Sequence, residues 1–235
     1  MNTASTSRTI IITGANGNLG TAVTTLFLNR GYKVLATVYD EEAKKEMPVH
    51  PRLQATVLNL TNEEETTAFI QSVISTHHQI DGALMLVGGF AMGDIAATKN
   101  DDIKKQISLN FDTAYHVARP LLAHMLANNY GRLVFVGARP ALQASAGKSM
   151  VAYGLSKSLL FKLAEYINEE TKGKNVTATV VVPSTLDTAI NRQSMPGANP
   201  GDWVKPEDLA GILEFICSDN SSSLRETVLK VYNNA

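Results

Sequence analysis

The sequence is poor in everything that would staple it, anchor it or bind it to a polyanion. It has one cysteine, Cys217, so no internal disulfide can form and a reducing compartment fits. Cys217 follows the apolar run Ile212, Leu213, Phe215, Ile216 and is read as a core residue. No apolar run approaches the roughly 18 residues needed to span a bilayer. The polar start MNTASTSR shows no signal-peptide pattern, and a cytoplasmic location is expected. Twenty-one basic residues against 22 acidic leave a net charge of -1. Without a basic excess, neither nucleic acid nor an anionic membrane is expected as a partner; an anionic cofactor would be held locally, by loops and helix ends. The histidines, His50, His77, His78, His116 and His124, form no recognised zinc spacing, so no metal is expected. His116 and His124, two turns apart on one helix, read as interface or surface residues. Repeats, linkers and low-complexity tracts are absent, and 235 residues suit one α/β domain over 1–235.

What is present is a rhythm. Short Val/Ile/Leu runs alternate with segments of helical period. Strands are predicted at Thr9–Thr13, Lys33–Tyr39, Ala55–Leu58, Ala83–Val87, Arg132–Val136, Val176–Val182 and Val228–Tyr232. Helices are predicted at about Leu19–Arg30, Asp102–Asn128 and Tyr153–Glu170, with another opened by a Thr61/Glu64 capping box. Pro120 should kink the longest. Continuous apolar runs suit strands buried on both faces. The alternation therefore predicts a doubly wound, seven-stranded parallel sheet with helices on both faces. The exception is Pro183–Pro206, which has little periodicity; a lid or substrate loop is expected at about 184–205.

Residues 13–20 read TGANGNLG, between the first strand and the first helix. Gly14, Gly17 and Gly20 allow a tight turn and close approach to a phosphate, and the helix start offers free N–H groups and a positive dipole end. The setting within the first βαβ unit marks a dinucleotide site. Either NAD or NADP fits. The acidic residue that usually binds the ribose 2′-OH falls at Val38, Asp40 follows two residues on, and no arginine stands nearby for a 2′-phosphate.

Tyr153 and Lys157, in YGLSK, lie four apart on one helix face. The lysine charge would lower the phenol pKa and ready it for proton transfer. Asn110, in SLNFDTAYH, is a mediocre interior helix residue. It is either an exposed polar position or one that holds water or positions Lys157.

Together these motifs resemble the short-chain dehydrogenase/reductase family over essentially the whole chain, which implies a single Rossmann-fold domain. TGANGNLG departs from the common TGxxxGxG in having Asn18, and fits the alternative TGxxGxxG. Asn110, Tyr153 and Lys157 match the family's catalytic Asn, Tyr and Lys. Pro183 and Thr188, in PSTLDT, match its motif after strand six, with Ser184 in place of glycine. LVGGF, residues 86–90, stands where Asn-Asn-Ala-Gly is usual. The cofactor-contacting set implied is Gly14, Asn16, Gly17, Asn18, Leu19, Gly20, Tyr39, Asn59, Gly88, Gly89, Tyr153, Lys157, Pro183, Thr185 and Thr188.

One departure concerns mechanism. Where the family has its catalytic serine, this chain has Gly137-Ala138, and Ser145 and Ser149 are the substitutes at hand. The segment FVGARPALQASAGKSMVAYGLSK is similar to dihydropteridine reductases, which also lack the serine, and TLDTAINRQSMPGANPGDW resembles their substrate loop. This implies hydride transfer from a nicotinamide to a quinonoid dihydropterin or similar small molecule. The alternatives are a reductase of a small ketone, aldehyde or quinone, and a non-catalytic NAD(P)-binding regulatory module. The family's habit implies a homodimer or homotetramer built through the helices at 102–128 and 153–170.

Overall fold

The computed structural model describes residues 8–234. Its strands are β1 (Thr9–Thr13), β2 (Lys33–Val38), β3 (Leu53–Val57), β4 (Gly82–Met85), β5 (Gly131–Val136), β6 (Val176–Pro183) and β7 (Val228–Val231). They form one parallel sheet in the order β3-β2-β1-β4-β5-β6-β7. The helices are α1 (Asn18–Asn29), α2 (Glu41–Lys45), α3 (Glu63–His77), α4 (Asn100–Ile107), α5 (Thr113–Ala127), α6 (Arg139–Leu142), α7 (Ala144–Gly147), α8 (Val151–Glu170), α9 (Ala189–Ser194) and α10 (Pro206–Cys217).

The two-sided burial read from the strand composition is visible residue by residue. In β1, Ile11 joins the core made with α3, α5 and α8, whereas Ile10 and Ile12 join the opposite core made with α1 and α10. All three are fully buried, because successive strand side chains point to opposite faces and both are covered. The strand order reverses between β1 and β4. The loops leaving those two strands carry TGANGNLG and LVGGF, so both converge on the crevice at the switch point.

Several local expectations change. Asn62, not Thr61, caps α3; its side chain accepts from the N–H groups of Glu64 and Glu65. Thr61 is turned instead to the Asn59 carboxamide. The long helix is irregular not at Pro120, which sits inside α5, but at Ser108–Asp112, a π-helical turn with Asn110 at its centre. His116 and His124 brace backbone: His116 Nδ1 lies 2.9 Å from the Leu60 carbonyl, and His124 Nε2 meets the Ile80 N–H. The irregular segment holds the short α9 and a 3₁₀ turn at Pro200–Asp202. No helix among the described residues is long and apolar enough to cross a membrane.

Candidate active site

The loop after β1 is shaped by its glycines. Gly14 has φ +61°, where a Cβ is strained. The Gly17 N–H donates to the Gly14 carbonyl at 3.0 Å. A Cβ on Gly20 would lie 2.1 Å from that same oxygen, so only glycine lets the loop fold onto its helix. Gly17 is the N-cap of α1 and offers no side-chain cap, and no acidic residue stands in the first turn. The opening N–H groups of α1 are thus left for a ligand. Asn16 is half-buried and Asn18 exposed, while Leu19 is buried and offers only its backbone. A cavity of about 190 Å³ adjoins the loop, bounded by Ala15, Asn16, Thr21 and Thr24 on one side and Glu46–Pro48 on the other. This glycine-built cradle at an uncapped, positively polarised helix end fits a dinucleotide pyrophosphate.

At the end of β2, Val38 is buried while Tyr39 is exposed. Asp40 is committed to capping α2, its Oδ1 accepting from the Ala43 N–H at 2.7 Å. Asn59 is exposed and bonded to Thr61.

Asn110 is 1% exposed. Its Oδ1 accepts from the Gly89 N–H at 2.9 Å, and its Nδ2 donates to the Gly89 carbonyl at 3.0 Å. The same Nδ2 reaches Gln106 Oε1 at 2.9 Å and Ser156 Oγ at 3.1 Å. Of the two readings open for Asn110, the exposed one is therefore excluded. A Cβ on Gly88 would fall 2.7 Å from Asn110 Oδ1 and 2.9 Å from Lys157 Nζ, which places both polar groups beneath one bare backbone turn. Lys157 is buried, and its ammonium donates to the Val136 carbonyl at 2.8 Å. The Phe90 ring, largely exposed, meets the Tyr153 ring edge-on, with centroids 5.3 Å apart.

Burial shifts the two titratable groups in opposite senses. It pushes the Tyr153 phenol up to about 12 and the Lys157 ammonium down to about 8, since low dielectric disfavours either charged form. This reverses the expected direction for the phenol, and no hydrogen bond joins the Tyr153 hydroxyl to Lys157. Desolvation is the cause of both shifts.

At the end of β5, a Cβ on Gly137 would lie 2.7 Å from Val180 Cγ1 and 3.0 Å from Phe161 Cζ. A serine cannot stand there without displacing the core. Ser145 is exposed on α7 and Ser149 lies just beyond it; neither hydrogen-bonds to Tyr153. Pro183 ends β6. Thr185 accepts the Val204 N–H through its carbonyl, and Thr188 caps α9 through a hydroxyl that keeps its own proton to donate. Trp203, within the segment expected to be a lid, is 6% exposed and tucked into the protein. The sequence reading missed Gln106, Ser156 and the Phe90–Tyr153 contact. The four-residue spacing of Gln106 from Asn110 was the available signal for the first.

The short chain dehydrogenase model matches residues 8–199. A dihydropteridine reductase of Dictyostelium discoideum is 27% identical over 220 residues, covering 92% of this chain and 90% of that protein. A 3-oxoacyl-[acyl-carrier-protein] reductase, FabG, of Thermotoga maritima is 23% identical, covering 94% of each. Among solved structures, ElxO with NADP bound superposes with a TM-score of 0.88 at 21% identity, covering 96% of this chain and 97% of that one. NAD+-bound xylitol dehydrogenase gives 0.85, also at 21%, covering 96% and 98%.

The buried lysine has a measurable consequence. Its folded pKa of about 8 lies below the ordinary 10.5, so between those values the unfolded chain binds more protons. Its burial costs stability fully below about pH 8, and the cost fades as pH rises towards 10.5. The shift corresponds to about 3 kcal/mol. In cofactor-free protein, Lys157→Met should unfold at higher urea concentration than wild type at pH 7, with the gap narrowing between pH 8 and 10.5. A gap independent of pH would show that the lysine charge is not the source.

Proposed function

On the premise that the chain belongs to the short-chain dehydrogenase family and is a nicotinamide-dependent oxidoreductase, we propose that it reduces a quinonoid dihydropterin or a closely related flat, electron-poor ring. The observation that carries this reading is the Gly137-Ala138 pair, where Gly137 is walled by Val180, Phe161 and Val182 and Ala138 ends in a methyl. No hydroxyl stands there to polarise a lone carbonyl, and a quinonoid ring, already a good hydride acceptor, needs none. The exposed Phe90 ring beside Tyr153 offers such a ring an aromatic neighbour. The dihydropteridine reductase of D. discoideum supports the same substrate class.

A nicotinamide bound in the cradle supplies the hydride. The opening N–H groups of α1, with Asn16 and Asn18 at the loop, hold the pyrophosphate; Leu19 contributes only backbone, and Tyr39 and Asn59 border the adenosine end. Gly88 and Gly89 give the ribose close access to Lys157, and Pro183, Thr185 and Thr188 line the nicotinamide end. Tyr153, a phenol that keeps its proton throughout the neutral range, with burial raising its pKa further to about 12, donates the one proton that accompanies hydride addition. Lys157 holds the ribose and supplies positive charge as the phenolate forms. Asn110 holds the turn above both. Segment 184–205 acts as a lid hinged at Thr188, with Trp203 as a buried root rather than a stacking surface. The exposed apolar positions Tyr115, Leu155, Leu159 and Tyr166 on α5 and α8 pair copies of the chain into a homo-oligomer, and the buried Cys217 suits a reducing cytoplasm.

The phosphate site is tested at Gly17 rather than Gly14, whose φ of +61° would strain any replacement. A side chain at Gly17 meets only the Gly14 carbonyl, at 3.3 Å. Gly17→Asp should cap α1 and keep or slightly raise Tm, yet weaken NADH and NADPH affinity on the order of tenfold or more by placing a carboxylate against the phosphates. Unchanged calorimetric affinity would remove the pyrophosphate from this loop.

The substrate reading is tested with a panel of quinonoid dihydropterin, quinones and simple ketones. The pterin should give the highest kcat/KM, and Tyr153→Phe should lower kcat on it on the order of 10²-fold. Strong turnover of ketones with none of the pterin would overturn the assignment.

For the lid, replacing residues 191–199 with a short Gly/Ser linker should preserve cofactor affinity and abolish substrate turnover. Retained activity would show that these residues are only surface loop.

A further inference from the structure

Gln106 is the one buried residue of α4, 5% exposed, while the apolar Ile103 and Ile107 of the same helix are only partly buried. A buried carboxamide is costly unless bonded, and an apolar side chain would fill the space as well. Its Oε1 accepts from Asn110 Nδ2 at 2.9 Å. That bond spans the junction where α4 gives way to the π-helical turn, so a side-chain bridge ties the two segments where the backbone repeat changes.

Gly89 sets which end of the Asn110 amide is oxygen, presenting its N–H to Oδ1 and its carbonyl to Nδ2, but leaves the amide's angle to its other partners. A flipped amide would set donor against donor and acceptor against acceptor. Nδ2 has two hydrogens and three acceptors within reach: the Gly89 carbonyl, Gln106 Oε1 and Ser156 Oγ. Ser156 spends its own proton on the Tyr153 carbonyl at 2.8 Å. If Gln106 ceased to accept, both hydrogens would still find partners, and the fold would survive. The amide would then be free to turn towards Ser156 and loosen its hold on Gly89.

We propose that Gln106 is a positioning residue, whose carbonyl oxygen holds the Asn110 amide in the orientation that clamps Gly89 above Lys157. It touches neither substrate nor cofactor and acts through Asn110; its effect on turnover rests on the reading of the site given above, whereas its effect on Gly89 does not.

The test compares Gln106→Met, which keeps an unbranched side chain without the acceptor, with Gln106→Glu, which keeps an acceptor oxygen. Amide hydrogen exchange at Gly89 is measured by NMR on all three proteins, beside kcat and KM for NADH with quinonoid dihydropterin. In Gln106→Met, Gly89 exchange should accelerate about tenfold and kcat should fall about tenfold, with KM for NADH within about twofold and Tm nearly unchanged. Gln106→Glu should return both quantities to within about threefold of wild type. Gly89 exchange in Gln106→Met equal to wild type overturns the proposal whatever the turnover. So does a Gln106→Glu variant that folds and is as impaired as Gln106→Met. If wild type fails to turn over the pterin, the substrate reading falls and the exchange measurement still decides the role of Gln106.

Discussion

The Asn110 carboxamide closes on both backbone groups of Gly89, and the site is built around that contact. Past Met85 the chain leaves the sheet, and the peptide at Gly89 has no ladder neighbour to satisfy it. A side-chain amide can imitate a neighbouring strand because it carries a donor and an acceptor at peptide-like spacing. The clasp fixes the turn from β4 against the helix that supplies Asn110, and Gly88 is thereby brought so near Asn110 Oδ1 and Lys157 Nζ that no Cβ fits. The π-helical turn at Ser108–Asp112 presents Asn110 from inside an otherwise regular helix. Insertions of this kind carry a local cost and are found most often at functional positions.

Burial then sets the electrostatics. Lys157 lies in the interior with a backbone carbonyl as its hydrogen-bond acceptor and no carboxylate beside it. Tyr153, four residues earlier on the same helix, feels the same low dielectric in the opposite sense. Packing alone gives no reason to place an ammonium there, since an aliphatic side chain would serve α8 better. An uncompensated buried charge next to a glycine cradle belongs with chemistry that uses it. The cost of that charge is offset by two apolar cores, in which the central strands of the sheet bury both faces.

Much of this was legible in the sequence because it rests on periodicity and on residues with few alternative uses. TIIIT reads as a strand buried on both faces, and glycines at 14, 17 and 20 between that strand and a helix read as a close-approach loop rather than a plain turn. The sheet and its seven strands followed from counting alternations. What was not legible depended on three-dimensional competition. Asn62 outcompeted Thr61 for the cap of α3 because the shorter hydroxyl was already turned to Asn59. Pro120, expected to kink the helix, sits inside α5, and the change of helical pitch lies at Asn110, whose low helix propensity was the only sign of it. Trp203 lies among prolines and glycines in a stretch without periodicity, where no pattern tells a packed ring from an exposed one, and it is buried. The phenol pKa was misjudged in sign because a charge four residues away can be counted from sequence and desolvation cannot.

The absent serine is where sequence and packing meet. Gly137 is a necessity of the core, since Val180, Phe161 and Val182 occupy the volume a side chain would need. A substrate that requires its carbonyl to be polarised from this strand would find nothing there. The polar groups gathered near that strand end belong to Tyr153 and Lys157, beside the turn that Asn110 holds, and on the proposed reading they would supply a proton and a positive charge. That combination suits an acceptor whose own electronic structure makes hydride addition favourable and whose need is for a proton and for alignment. Alignment of two flat rings demands area and exclusion of water more than a further hydrogen bond. The exposed Phe90 ring, held edge-on to Tyr153, would offer such area beside the phenol.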